Sequence, residues 1–309
     1  MHIPDGFLNP RVWGTMDAVA LPAAIYLARR ARKTFDHHKI PLMGVMGAFV
    51  FAAQMINFPV GIGTSGHLVG GALLSFTLGP AAAAIVMTAI LATQALVFQD
   101  GGILALGANV FNMAIAGVLV GYLPYMLLRG NKVGVFVGGL LSVLTSAVLA
   151  LTEILLSGVP MPTGVLMVSL ALFVVSGVIE GAITLVVVQS LEKINRGFLR
   201  PANALPLRGT LALAGSAVFL AGIGILFAST HPDGLQRFAE QIGISGRVKS
   251  LFVTPLSDYK LNLLGNDWLN RAMAGIAGLA IVYVLCIIAA RIITATRPAL
   301  SEHALSDEA

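Results

Sequence analysis

The first two residues carry three nitrogens in an order suited to gripping a cation. A free α-amine on Met1 followed by His2 offers the amine, the amide nitrogen of His2 and imidazole Nδ1, which close a five-membered and a six-membered chelate ring in one plane. A tetragonal all-nitrogen set suits Ni(II) or Cu(II), whereas zinc prefers a tetrahedron and magnesium or calcium prefers oxygen. One further planar nitrogen completes the square. Of the other histidines, His37 and His38 lie in a basic cluster, His303 in a polar tail and His231 at the start of a polar segment. His67, in Thr64-Ser65-Gly66-His67, is therefore the candidate for the fourth position. The bland alternative makes His2 and His67 structural residues, hydrogen-bonded at a membrane interface. The chelate also needs Met1 as the mature first residue. MHIPDGFLNP has no basic n-region, apolar h-region or small-residue cleavage pattern, so no signal peptide is expected.

These residues must be positioned by elements that belong in a bilayer. Hydrophobic residues make up 57% of the chain and charged residues only 11%, at a mean hydropathy of +0.89, which excludes an ordinary soluble domain. Near-uncharged stretches long enough to span a bilayer recur, and predict helices near 14–30, 41–58, 81–98, 107–128, 133–157, 163–191, 209–228 and 271–293, with a short or re-entrant helix at 68–79. The expectation is an all-α polytopic membrane protein of about nine helices. Basic residues test that count, since alternate loops should carry them. Arg29 to Lys39, Arg129 and Lys132, Lys193 to Arg200, and Arg291 and Arg297 all fall on the cytoplasmic face if the short helix is counted and the N-terminus lies outside. That topology gathers the N-terminus, FPVGIGTSGH, FQDGG and GVPMPTG on the outer face, together with a polar cap at 229–270. PANALPLR reads as a linker, dividing a seven-helix core, residues 1–200, from a two-helix appendage, residues 201–309. Pro232-Asp233-Gly234 echoes Pro4-Asp5-Gly6, and two tight turns account for the echo.

Other polar residues divide the function classes. Asp17, Glu153 and Glu180 fall inside predicted spans, where a charge must face a polar interior. They serve either structural pairing with the backbone and with Gln54, Gln94, Asn109 and Asn112, or an ion-coupled secondary transporter. Asp100, with Asn109 and Asn112, sits near the outer mouth and is expected, along with Ser65, to orient His67 or the N-terminal strand. Gly63-Thr64-Ser65-Gly66 matches the pattern of an intramembrane serine protease, but no histidine base lies in a later span. No G-x-x-x-x-G-K-[ST] phosphate loop occurs, so ATP chemistry is not expected here. The single cysteine, Cys286, supports neither a disulfide framework nor a thiolate zinc site. The net charge of +5 follows topology and forms no nucleic-acid face. The pairs Gly117/Gly121, Gly134/Gly138 and Gly177/Gly181 predict close helix packing.

MHIPDGFL, TSGH, QALVFQDGGILALGANVFNM and HPDGLQ resemble the NikM and CbiM substrate-binding components of nickel and cobalt energy-coupling-factor (ECF) importers, with a NikN- or CbiN-like segment from 201 onward. The resemblance implies that Met1, His2 and His67 bind Ni2+ or Co2+ as transported substrate. It also implies a membrane coupling subunit of the NikQ or CbiQ kind, cytoplasmic ATPases of the NikO or CbiO kind, and residence in a prokaryotic cell membrane. FQDGGILALGANVFNM and TSGHLVGG look more like the nickel branch. One departure stands out: where the family often reads PDGLE, this chain has Gln236.

Overall fold

A computed structural model describes residues 1–61, 63–196, 198, 205–261 and 265–295. Arg200, Arg297, His303 and residues 201–204 of the expected linker lie outside the described residues. Ten helices are described: α1 (Pro10–Thr34), α2 (Ile40–Gln54), α3 (Gly71–Leu78), α4 (Pro80–Phe98), α5 (Leu106–Leu127), α6 (Lys132–Leu156), α7 (Thr163–Ile194), α8 (Leu207–Gly222), α9 (Gly234–Gln241) and α10 (Asp267–Ala295). Five of them, α4, α5, α6, α7 and α10, are long and apolar enough to cross a membrane. The chain is a polytopic α-helical membrane protein. The ends follow local chemistry. Asn9 caps α1 by accepting from Val12 N–H, with Pro10 in its first turn, and Asn131 does the same for α6 through Gly134 N–H.

The short segment expected at 68–79 is α3, a two-turn helix buried along its whole length. Residues 57–61 and 64–67, read as the end of a span and a loop, pair instead as a β-hairpin of β1 (Asn57–Gly61) and β2 (Thr64–His67), with Asn57 opposite His67 and Phe58 opposite Gly66. Pro59 breaks the helical pattern, and the extended segment that follows satisfies its backbone by pairing with itself. A β-hairpin thus holds His67.

The small-residue pairs do pack. The Gly121 carbonyl lies against Gly138, and Gly139 would place a Cβ only 2.8 Å from the Gly181 backbone, so α5, α6 and α7 meet at van der Waals contact. Several polar groups in the helices are paired. Glu180 accepts from Val69 and Gly70 N–H, both at 2.8 Å, Asn112 donates to Glu153 at 2.9 Å, and Gly107 N–H donates to Asp17 at 3.0 Å. Gln54 donates to the Val69 carbonyl at 2.7 Å and receives Gln94 at 2.8 Å. Each of the three acidic residues thus has a structural partner, while Glu153 Oε1 is buried without one among the described residues.

The N-terminus, the hairpin, the 99–105 loop and the segment after α8 converge at one end of the helices. Asn9 N–H donates to Ser157 there as well, tying in the loop after α6. The segment after α8 runs across this end as a strap: Lys249 N–H donates to the Asp5 carbonyl, Gln99 donates to Ser250 and to the Phe252 carbonyl, and Thr254 donates to the Val97 carbonyl.

Candidate metal centre

The N-terminal strand is anchored residue by residue. Asn109 clasps Ile3 from both sides, accepting its N–H at 2.8 Å and donating to its carbonyl at 3.0 Å. Gly102 N–H also donates to the Ile3 carbonyl, at 2.8 Å. The Asp5 carboxylate accepts Ile103, Leu104 and Ala105 N–H at 3.0, 2.8 and 3.2 Å, and charge-assisted bonds of this kind are the strong ones. Ile3, Phe7 and Leu8 are buried.

That anchoring delivers Met1 to His67. The Met1 amine lies 2.9 Å from His67 Nε2 and donates to Asp233 Oδ2 at 2.5 Å. The other ring nitrogen of His67, Nδ1, donates to the Leu68 carbonyl at 2.9 Å, which fixes the tautomer and leaves Nε2 with its lone pair. Burial above all, then the amine and His2, push the His67 pKa down to about 3, so the ring is neutral at pH 7. Asp233 is pushed up by burial, but the amine and His67 outweigh this and hold it below the usual carboxylate range.

The His2 ring stacks on that of His67, with centroids 5.4 Å apart and planes 20° from parallel. Its Nδ1 is 2.9 Å from Asp100 Oδ1, and its buried Nε2 has no partner among the described residues. A chelate through Nδ1 therefore requires the His2 ring to turn over and leave Asp100. Asp100 is itself held by Tyr259, whose hydroxyl donates at 2.6 Å. Desolvation raises Asp100, and the charge and hydrogen bond of His2, with the Tyr259 bond, overcome it and hold the carboxyl low.

Among the described residues no group of three or more His, Cys, Asp and Glu side chains has the arrangement of a metal site. A cation held here needs main-chain nitrogen.

The expected supporting residues divide. Asp100 orients His2 rather than His67, and Asn109 holds the strand. Asn112 lies one turn deeper on α5 and donates to Glu153. Ser65 joins the hairpin to the strap. Its hydroxyl donates to the His231 carbonyl at 2.7 Å and its N–H to the Pro232 carbonyl, so it faces carbonyls rather than a base. The second Pro-Asp-Gly is more than an echo. Asp233 caps α9 and also meets Met1, and Gln236 closes a capping box by accepting Asp233 N–H at 3.1 Å. Gln thus does the work of Glu at that position. The Asp-x-x-Gln spacing was the available signal for this cap; nothing in the sequence marked its partner as Met1.

Residues 2–198 match the model of the CbiM family, described as a cobalt uptake substrate-specific transmembrane region, and residues 208–295 match the PDGLE domain. The chain belongs to the CbiM family. The fused nickel transport protein NikMN of Rhodobacter capsulatus is 30% identical over 91% of this chain and 95% of its own length. A relative in Archaeoglobus fulgidus, named "Putative fused nickel transport protein NikMN", is 36% identical over 92% of this chain and 96% of its own. A solved structure described as a truncated transition metal transporter aligns at 37% identity with a TM-score of 0.56, over 62% of this chain and 99% of that one. The relatives carry transport names, and this CbiM-family chain is likewise a transport protein that spans the membrane many times.

Proposed function

We propose that this chain is the substrate-specific subunit of an ECF-type importer, capturing Ni2+ in preference to Co2+ through the Met1 amine, the His2 amide nitrogen and imidazole, and His67 Nε2. One observation carries the reading: the Met1 amine stands 2.9 Å from His67 Nε2 inside a buried cluster. In a square-planar site with metal–nitrogen bonds of about 2.0 Å, neighbouring donors lie about 2.8 Å apart. In the chelate, His67 takes the place opposite the amide, adjacent to the amine, and the spacing fits that place. Asp233 supports it further, because an amine bound to a metal keeps N–H groups for the carboxylate to accept and the carboxylate offsets cationic charge.

In this reading residues 1–200 form the metal-binding core and residues 201–309 a fused two-helix component, with the hairpin end facing outward. The sequence has no phosphate loop, so energy comes from cytoplasmic ATPases acting through a membrane coupling subunit. Names of relatives that specify nickel, with the all-nitrogen donors, favour nickel over cobalt.

The test moves the amine without touching a side chain. A short histidine-free tag placed before Met1, with the N-terminus verified by intact mass, converts the Met1 amine into a peptide nitrogen and carries the new terminus away from His67. Nickel binding is lost while the thermal transition is retained. Binding by that variant at wild-type affinity, or normal binding by His2→Ala or His67→Ala, defeats the proposal, and cobalt prevailing at equal trace concentrations reverses the choice of metal.

A further inference from the structure

The strap carries chemistry that the metal centre does not use. Residues 247–253 read Arg-Val-Lys-Ser-Leu-Phe-Val, and Val248, Leu251, Phe252 and Val253 are 52, 55, 42 and 82% exposed. Bare apolar side chains interleaved with cations are characteristic of a segment that meets a membrane surface. The strap is held tightly from below: Gly6 has φ +97° and sits so close that a Cβ there would overlap the Arg247 carbonyl oxygen.

Between the strap, the N-terminal turn and the start of α1 lies a pocket of about 370 Å³. Leu8, Trp13, Leu104 and Leu251 form apolar walls, and Arg247 and Lys249 bring two cationic groups to the lining. Asp5 also borders it, but its carboxylate is taken up by three backbone N–H groups. Among the described residues neither Arg247 nor Lys249 has an ion-pair partner. The pocket thus offers two free cations beside an apolar wall, and Trp13, one turn into α1, occupies the kind of position where tryptophan marks a membrane interface.

We propose that this pocket binds the headgroup of an anionic phospholipid from the leaflet at this end of the helices. Its phosphate sits against Arg247 and Lys249, its first acyl methylenes lie along Leu8, Trp13, Leu104 and Leu251, and Phe252 and Val253 enter the headgroup layer. Charge complementarity selects an anionic lipid over a zwitterionic one, and the apolar walls select a lipid over a free anion. A bound headgroup braces the strap on the Asp5–Gly6 turn. The proposal does not depend on which metal is carried, or on whether one is.

The full chain is reconstituted in nanodiscs of phosphatidylcholine with and without phosphatidylglycerol. Hydrogen exchange is followed over 247–253, and retained lipid is counted by native mass spectrometry. Exchange slows in the anionic discs, and phosphatidylglycerol stays on the wild-type chain. Each basic group at an anionic surface contributes roughly fivefold, so R247Q/K249Q lowers retention about 25-fold. Both residues are exposed, and the comparison between discs stands on the wild type alone if that variant misfolds. Equal exchange in the two discs, full retention by the folded double variant, or protection of lipid-stripped protein by inorganic phosphate alone overturns the proposal.

Discussion

Replacing Gly102 with alanine tests whether the loop after α4 sets the position of the N-terminal amine. A Cβ at Gly102 would overlap Asp5 Oδ1 and stand 2.5 Å from Asp5 N and 2.8 Å from Asp5 Cγ. Ordinary contact begins near 3.4 Å, so the Asp5 turn must retreat by about 1 Å, because packed interiors have no slack to absorb a methyl group. The retreat strains the three N–H bonds to the Asp5 carboxylate and the Gly102–Ile3 bond. Losing the equivalent of one bond to a charged group costs about 1.5–3 kcal/mol, a 10- to 150-fold loss in the docked strand. Met1 follows the strand away from His67 Nε2, so nickel affinity measured calorimetrically in detergent falls by about the same factor, while the melting of the helices changes little. Gly164→Ala is the control, since a Cβ there meets nothing within 4 Å. Wild-type affinity in Gly102→Ala, or an equal loss in Gly164→Ala, refutes the reasoning.

The metal-free protein is destabilised by acid. His67 has a folded-state pKa of about 3 against an ordinary 6.5, so its contribution is fully present above about 6.5 and falls as pH drops towards 3, by up to about 1.4 kcal/mol per pH unit. Asp100 and Asp233, both held low, add to the loss below about pH 4; an unfolding midpoint in urea that is the same at pH 5 and pH 7 contradicts this. Gln236→Glu preserves the capping box and leaves stability and metal affinity unchanged, whereas Asp233→Ala removes a helix cap of about 0.5–2 kcal/mol together with the partner of Met1, and lowers both. If Asp233→Ala lowers the thermal transition but leaves the nickel titration unchanged, Asp233 has no role beyond capping. Asp100→Asn removes the anion that holds the His2 ring in the orientation it must leave for Nδ1 to join the chelate, so nickel affinity does not fall; a loss of roughly 10-fold or more shows that Asp100 supports the metal-bound ring instead.

Five of the expected spans, the buried short helix and the meeting of loops at one end were legible because a bilayer imposes length and apolarity on each helix separately. What escaped the sequence depended on pairings between distant segments. The hairpin of β1 and β2 escaped because its strands are short and end at a span, so no alternation of period two could develop. Asn109 and Asn112 are three residues apart on one helix and look equivalent in sequence, yet only Asn109 reaches Ile3, because the strand crosses α5 at a single turn. Asp233 was hidden most completely: its local role as a helix cap accounts for its identity, and the carboxylate oxygen left over is the one that meets Met1.

That shared carboxylate says something about why the appendage is joined to the core. A chain terminus is ordinarily the least ordered part of a fold, yet the Met1 amine must be held in place for a main-chain chelate to exist. The core supplies the anchors at Ile3 and Asp5, but these stop two residues short of the amine. The groups that reach the amine directly are His67 from the hairpin and Asp233 from the segment after α8, and Ser65 binds those two segments to each other. Positioning of the first residue is therefore divided between both parts of the chain, and a core deprived of its appendage would keep its helices while losing an anionic partner of the amine.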